Sequence, residues 1–192
     1  MGFLASFGDA VVVLPVAAVT LLWLATLVGR RVAMTWCWAV LLAGGATALL
    51  KIWLSGCATP IDGLESPSGH TSMSTVVYGG LTLVAASEAE SWPRVALGAA
   101  GAALVLAIAV SRVTLGAHSA IEVVVGLVIG GAALALFARA YLRDRQAGRP
   151  IWPLLTAGII LALALHGHSA ELEPLWRRIA AALRNATGLC RA

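Results

Sequence analysis

The chain contains six long apolar runs, which constrain its fold more than any other feature of the sequence. They cover residues 10–28, 32–54, 71–86, 95–110, 119–137 and 151–165. A helix that crosses a bilayer needs about 20 mainly apolar residues, with a range of roughly 17 to 25. The first, second and fifth runs reach this length, and the other three are shorter. We therefore predict an all-α, polytopic membrane protein built as a six-helix transmembrane bundle.

The composition agrees with this fold class. Hydrophobic residues make up 60% of the 192 residues and charged residues only 11%, whereas about a quarter of the residues in soluble domains are charged. The net charge of +4 comes from arginines that lie mostly in short stretches between or after the apolar runs. Short basic segments of this kind favour anionic lipid headgroups, so we expect a membrane partner and no nucleic acid.

The arginines also predict which side of the membrane each connection faces, because cytoplasmic loops carry an excess of Arg and Lys. Seven of them flank the first, fourth and fifth runs: Arg30, Arg31, Arg94, Arg139, Arg143, Arg145 and Arg149. We expect these connections in the cytoplasm and residues 55–70 and 111–118 on the opposite side. Asp9 precedes the first run without a basic segment, which argues against a cleaved signal peptide.

The C-terminal segment departs from this charge pattern. Six spans would leave four further arginines on the less favoured side: Arg177, Arg178, Arg184 and Arg191. Either the sixth run does not span, or the tail is an interfacial helix whose arginines contact headgroups. Five apolar residues would share one helical face, as in interfacial helices: Leu172, Leu175, Trp176, Ile179 and Leu183. We favour the interfacial helix, with residues 1–168 as the transmembrane domain, its core at 51–137, and residues 169–192 as the tail.

Ionisable residues collect at the outer ends of four apolar runs. Lys51, the only lysine, ends the second run, and His70 opens the third; Arg112 closes the fourth, and His118 and Glu122 open the fifth. Ionisable groups at membrane helices are costly, so several at one depth predict a functional site. Any one of them could instead be a side chain that reaches up to the headgroups. That explanation does not account for four helices contributing to the same face.

These residue types suit a phosphate ligand. Arg112 offers a planar guanidinium and Lys51 a compact charge. Ser68 and Gly69 precede a predicted helix, whose free N–H groups and dipole favour an anion. Gly69 has no side chain, so a phosphoryl group could approach its backbone closely. We predict these four residues as the phosphate-binding set.

His118 and Glu122 are four positions apart and would share one face of a helix. A carboxylate there can hold one imidazole nitrogen as N–H and leave the other as a directed nucleophile or base. Such a pair is more often structural when it stands alone; beside His70 and two cations it predicts an active site. A metal site is the rival use of the two histidines. Because dedicated metal sites usually gather three or four close ligands, we expect no metal and no cofactor.

Two segments resemble the signatures of a known family. The residues PSGH at 67–70 and SRVTLGAHSAIE at 111–122 resemble the second and third signatures, P-S-G-H and S-R-x5-H-x3-D, of the type 2 phosphatidic acid phosphatase (PAP2) superfamily. The first signature, K-x6-R-P, is matched only at Lys51, since Ala58 and Thr59 stand in place of the arginine and proline. Glu122 replaces the final aspartate. The missing arginine removes a phosphate-binding cation, and the tail is one candidate to replace it.

The resemblance implies a metal-independent phosphoryl transfer. His118 would attack phosphorus to form a phosphohistidine, and Glu122 would orient it. His70 would act as the general acid and later as the base for the hydrolytic water. The phosphoryl oxygens would be held by Lys51, Arg112, Ser68 and Gly69.

The resemblance further implies an integral-membrane lipid phosphatase, located in a bacterial inner membrane with its site on the periplasmic side. Substrates of the family include prenyl diphosphates such as undecaprenyl diphosphate, phosphatidate, phosphatidylglycerol phosphate and lipid A phosphates. Two alternatives stay open. One is a lipid phosphotransferase that uses the same intermediate, and the other is a weakened, non-catalytic lipid-binding or transport protein, suggested by Ala58.

Overall fold

The computed structural model describes residues 2–55, 57, 61–89, 91–144, 148–170 and 172–187. The regular structure within these residues is helical: α1 (Gly2–Ser6), α2 (Ala10–Trp23) continued by a π-helical turn (Leu24–Val28), α3 (Arg30–Leu54), α4 (Gly69–Glu88), α5 (Ser91–Thr114), α6 (Ala120–Asp144), α7 (Trp152–Ala164) and α8 (Glu173–Thr187). The prediction of an all-α fold is confirmed. Ala58, Thr59, Arg145 and Arg191 lie outside the described residues.

Four segments of the described chain are long and apolar enough to cross a membrane: Ala10–Val28, Arg30–Leu54, Trp92–Thr114 and Ala120–Asp144. They coincide with the first, second, fourth and fifth apolar runs and indicate an integral membrane protein. The helix α7 is apolar but has only 13 residues, and α4 has 20 residues but is more polar. The total of six spans therefore stays a prediction.

The polarity of α4 follows from its place in the middle of the bundle. It packs against α2, α3, α5 and α6, and Thr71, Ser72, Ser74 and Thr75 are buried in its first half. The Thr75 hydroxyl donates to the Thr71 carbonyl at 2.7 Å, within the helix. Hydropathy underrates such a helix, because small hydroxyl residues allow close packing and can donate to a carbonyl one turn earlier in the helix.

Two glycines set the distance between α4 and α6. Gly126 and Gly130 are four apart in the fifth run, a spacing compatible with helix packing or with a lipid-facing surface. Both are buried. A Cβ at Gly126 would lie 2.7 Å from the Ser68 carbonyl oxygen, and a Cβ at Gly130 would collide with the Ser72 carbonyl oxygen. They are therefore packing residues, and the close approach places α6 directly against the start of α4.

The helix α7 runs antiparallel to α2 and returns the chain to the end where α2 begins. Before it starts, the Pro150 carbonyl accepts a hydrogen bond from Trp23 Nε1 at 3.2 Å. After it ends, the Ala170 N–H donates to Asp9 Oδ1 at 3.0 Å. The amphipathic helix predicted in the tail is α8, which packs against α3. Its position at the membrane surface stays a prediction.

Candidate active site

A cavity of about 830 Å³ lies at the end of the bundle where α2 begins and α3 ends. Its walls include six of the seven predicted site residues: Lys51, Gly69, His70, Arg112, His118 and Glu122. They come from α3, α4, α5, α6 and the connection before α6. The structure thus brings together residues that the sequence placed at the outer ends of four separate runs.

His118 is held by Glu122 at the start of α6. Its Nδ1 lies 2.9 Å from Glu122 Oε2, the contact expected from the spacing of four residues. The side chains are only 10% and 8% exposed, respectively. The Nε2 atom makes no hydrogen bond to any described residue. The arrangement fixes one ring nitrogen and leaves the other available to the cavity.

Glu122 also organises the backbone around the site. Ser119 and Glu122 form a capping box, in which the Ser119 N–H donates to Oε2 at 3.1 Å and the Glu122 N–H donates to Ser119 Oγ at 3.2 Å. The other carboxylate oxygen, Oε1, accepts from the N–H groups of Glu65 at 2.9 Å and of Ser66. One carboxylate therefore joins the histidine, the start of α6 and the loop before α4.

Burial lowers the pKa of His118, although its hydrogen bond to Glu122 acts in the opposite direction. The positive charges of Lys51 and Arg112 lower it further. A neutral imidazole is thus favoured near neutral pH, which is the state that a nucleophile requires.

His70, on the first turn of α4, faces a carboxylate that the sequence analysis did not assign to the site. Its Nε2 lies 3.7 Å from Asp9 Oδ2. Asp9 is buried, caps α2 by accepting from the Val11 N–H at 3.0 Å, and accepts from Ala170 through the same oxygen. The second oxygen is left to the histidine. Burial and the positive charge of Arg112 favour the neutral ring of His70, and the negative Asp9 opposes them by stabilising the protonated form that a general acid needs.

The side chain of Lys51 is buried in the protein and does not extend outward from the end of α3. It is only 6% exposed, and its Nζ donates to Ser66 Oγ at 2.8 Å and to Glu173 Oε2 at 2.7 Å. Burial by itself would raise the pKa of Glu173, but the hydrogen bond and charge of Lys51 outweigh it and the pKa is lowered. The first residue of α8 is thereby tied to the cavity as a carboxylate.

Arg112 has an unused donor. Its Nε is buried and makes no hydrogen bond to any described residue. An unpaired buried donor costs about 1–3 kcal/mol. A guanidinium kept in this state beside two histidines and a lysine is suited to an anionic ligand that enters the cavity.

Ser68 is placed differently from the other predicted residues. It is fully buried, it caps α4, and its hydroxyl accepts from the Thr71 hydroxyl at 2.9 Å. It is not among the residues that line the cavity, so its role as a phosphate ligand stays a prediction. Gly69 does line it, and a Cβ there would lie 3.9 Å from Lys51 Cε.

Sequence reasoning missed several polar residues that also line the cavity, among them Asp9, Ser66, Glu173 and Arg177. Two of them gave a usable signal, since Asp9 is an acidic cap before an apolar run and Ser66 adjoins the PSGH segment. Glu173 and Arg177 lie on α8, more than 50 residues after the other site residues. Nothing in their local sequence indicates that α8 folds back onto α3.

The cavity continues from the polar end into an apolar groove along α3. The groove is lined by Leu14 of α2 and by Val40, Leu41, Gly44, Gly45 and Ala48 of α3. Val40 lies eleven residues before Lys51, which corresponds to about 16 Å along a helix. The space is thus polar at one end and apolar along its length, which is the shape of a lipid with an anionic headgroup.

The described residues contain no group of three or more His, Cys, Asp or Glu side chains that could hold a metal ion. The expected metal independence itself stays a prediction. The polar end instead presents two histidines, each beside one carboxylate, together with Lys51, Arg112 and Arg177. Such a set can bind an anion and move protons on and off it.

Comparison with known proteins connects this geometry to one family. The model of the PAP2 superfamily matches residues 53–146, a segment that contains His70, Arg112, His118 and Glu122. No curated protein and no solved structure matches the chain. The resemblance noted in the sequence is confirmed, and the chain belongs to the PAP2 superfamily as a member with membrane-spanning helices.

Proposed function

We propose that this chain is an integral-membrane lipid phosphatase, which removes a phosphate from a lipid monophosphate or diphosphate through a phosphohistidine intermediate. The family supports phosphatase activity in general terms. The observation that carries the finer proposal is the cavity, in which His118, with a free Nε2, shares one space with His70, two cations and an apolar groove.

In the first step, His118 Nε2 attacks the phosphorus atom. The P–N bond forms as the bond from phosphorus to the lipid oxygen breaks, and His70 gives its proton to the departing oxygen. Lys51, Arg112 and the Gly69 N–H hold the phosphoryl oxygens as negative charge develops on them. Glu122 stabilises the ring through Nδ1.

In the second step, neutral His70 takes a proton from water, and the oxygen of that water attacks phosphorus. The P–N bond breaks, its electrons return to His118, and inorganic phosphate leaves. Asp9 holds His70 in position through both steps, and in each step the histidine is left in the state that the next one requires.

The substrate class follows from the groove. A lipid chain in the apolar channel beside Leu41 and Gly45 would place its phosphate at the polar end, near Lys51 and Arg112. A prenyl diphosphate or a glycerophospholipid phosphate fits this description. We assign α4 and α7 as the two spans beyond the four apolar helices, and we place the cavity on the periplasmic side of a bacterial inner membrane.

The experiment is phosphate release by the purified protein in detergent, with EDTA present, from prenyl diphosphates, phosphatidate, phosphatidylglycerol phosphate and lipid A. His118→Ala is the matched variant. Release from at least one lipid that disappears in the variant supports the proposal, as does recovery of a phosphohistidine from the wild-type protein after an alkaline quench. Release that needs a metal, or that persists in His118→Ala, would overturn the mechanism.

A product other than inorganic phosphate separates hydrolysis from transfer. If the wild-type protein releases no phosphate alone but phosphorylates a second lipid added to the assay, the chain is a phosphotransferase. A folded wild-type protein that binds these lipids and does neither is a binding or transport protein.

A further inference from the structure

Arg177 lies one helical turn after Glu173 on α8, and both residues line the cavity. The contact of Glu173 with Lys51 at 2.7 Å fixes the start of α8 over the site. Residues four apart share a helix face, so this contact turns Arg177 toward the same space. Ala180 of α8 is 1% exposed, which shows that the helix is also packed further along.

Arg177 makes no direct contact with an acidic side chain of the described residues. Within the described residues it forms no hydrogen bond or ion pair, although its charge contributes to lowering the pKa of Glu173. Its neighbour Arg178 is also exposed, but it does not line the cavity. Of these two adjacent arginines on one helix, only Arg177 therefore has access to the site.

The other charged groups of the site do not by themselves neutralise a phosphate ligand, which leaves a role for Arg177. The charge of Lys51 is balanced by Glu173 and that of protonated His70 by Asp9, while Glu122 is paired with His118, whose ring is neutral as the nucleophile. Arg112 is then the only other cation that lines the cavity in the described chain. A phosphate monoester carries nearly two negative charges near neutral pH, which one arginine does not neutralise.

We propose that Arg177 is a phosphate-binding residue of the active site, supplied by the tail helix α8. The inference rests on the proposed function for its lipid substrate, but it is tested by binding as well as by turnover. Arg177 and Arg112 line the same cavity, so that the phosphate contacts two arginines from distant parts of the chain. The helix α8 is then part of the active site as well as a surface helix.

The test compares Arg177→Gln with Arg178→Gln, both in the full-length protein. The first readout is the dissociation constant for inorganic phosphate, measured by calorimetry in a His118→Ala background where no turnover occurs. The second is the KM for the lipid phosphate in the wild-type background. Arg177→Gln is expected to weaken phosphate binding and raise KM by about tenfold, the size of one charge-assisted hydrogen bond. Arg178→Gln should leave both unchanged, and Arg177→Lys should restore part of the loss.

Each other outcome has a definite meaning. Equal effects of the two glutamine variants, or none, would overturn the proposal, as would a His118→Ala protein that binds no phosphate. Weaker binding to anionic vesicles in both variants, with unchanged phosphate affinity, would assign Arg177 to the membrane surface. The wild type could also hydrolyse no lipid while phosphate affinity is still weakened by Arg177→Gln and not by Arg178→Gln. In that case the proposed function is wrong, and the assignment of Arg177 as a phosphate-binding residue is supported.

Discussion

At the scale of single residues, His118 carries the chemistry, and its environment sets the pH range of the reaction. Burial and the charges of Lys51 and Arg112 lower its pKa from an ordinary value near 6.5, against the opposing influence of Glu122. Because a lowered pKa means that the proton leaves at lower pH, the neutral nucleophile persists below pH 6.5. Activity is lost only when the pH falls further and the ring becomes protonated.

We therefore expect the acid limb of kcat/KM to have its midpoint below pH 6.5. Glu122→Gln should lower the plateau by about 10²- to 10⁴-fold, because the ring loses its oriented partner and the stabilisation of its charged form. The measurement is a pH profile in detergent, corrected for ionisation of the substrate by phosphorus NMR. A midpoint above pH 6.5 after this correction would contradict the assignment of His118.

Asp9 supports the protonated state of His70. Asp9→Asn should lower kcat/KM about tenfold across the pH profile, because protonated His70 loses its negative neighbour while burial and the charges of Arg112, His118 and Lys51 still favour the neutral ring. An asparagine oxygen can keep the hydrogen bonds from Val11 and Ala170. The control is Asp62→Asn in the exposed loop before α4, which should leave the profile unchanged. Identical pH profiles of the wild type and Asp9→Asn would show that Asp9 has no role in the reaction.

At the scale of helices, α3 provides both the buried lysine and the groove for the lipid chain. Gly45 lines that groove, and a Cβ built on it would meet no atom within 4 Å. A larger side chain at this position can therefore enter the groove without disturbing the protein core. The polar end, six residues further along α3, would stay intact.

Gly45→Leu is expected to raise KM for long-chain lipid phosphates about tenfold and to leave short-chain, water-soluble phosphate esters unaffected, because only the long chain needs the groove. The control is Gly131→Leu on α6, where a Cβ also meets no atom within 4 Å but which lies outside the cavity. The measurement is the steady-state kinetics of both variants on long-chain and short-chain substrates. Equal loss on short and long substrates would show that the groove does not hold the chain.

The contact between α4 and α6 predicts a difference in stability between two adjacent glycines. Gly130→Ala should destabilise the protein by about 1–3 kcal/mol, because the new methyl group collides with the Ser72 carbonyl oxygen. Gly131→Ala should be neutral or slightly stabilising, since alanine has the higher helix propensity. Thermal unfolding in detergent measures both, and similar midpoints would show that α4 and α6 are not packed in this way.

At the scale of the whole molecule, the return of the chain through α7 places the tail at the same end as the cavity. This arrangement and the arginines at the opposite ends of the helices predict that the C-terminus is outside the cytoplasm. A fused alkaline phosphatase reporter, which is active only outside the cytoplasm, should therefore be active, and a fused green fluorescent protein should be dark. The reverse result would show that the sixth run does not span and would place α8 on the cytoplasmic side.

The parts of the site that could be predicted from the sequence depend on short separations along the chain. His118 and Glu122 are four residues apart, so helix geometry alone brings them together. His70 and Gly69 follow a helix-start pattern that also predicted their place at the start of α4. The apolar runs located four helices that are long and apolar enough to span a membrane for a similar reason, because hydropathy is a local property of the chain.

The polar character of α4 is a property that could not be interpreted from the local sequence. A helix surrounded by other helices can be polar, so its hydropathy does not reveal whether it crosses the membrane. The choice between packing and lipid contact at Gly130 likewise depended on which atoms face it. Neither question is answerable from the residues within one helix.

The sequence by itself determined the all-α class, the family and the ionisable residues contributed by α3 to α6, because each rests on composition or on a short motif. Only the tertiary structure decided that Asp9 faces His70, that Glu173 holds Lys51 and that Arg177 lines the cavity. These residues come from the two ends of the chain and have no local pattern in common. They meet at the site because α7 returns the chain to the start of α2 and α8 packs onto α3, and contacts between such distant segments are fixed by packing.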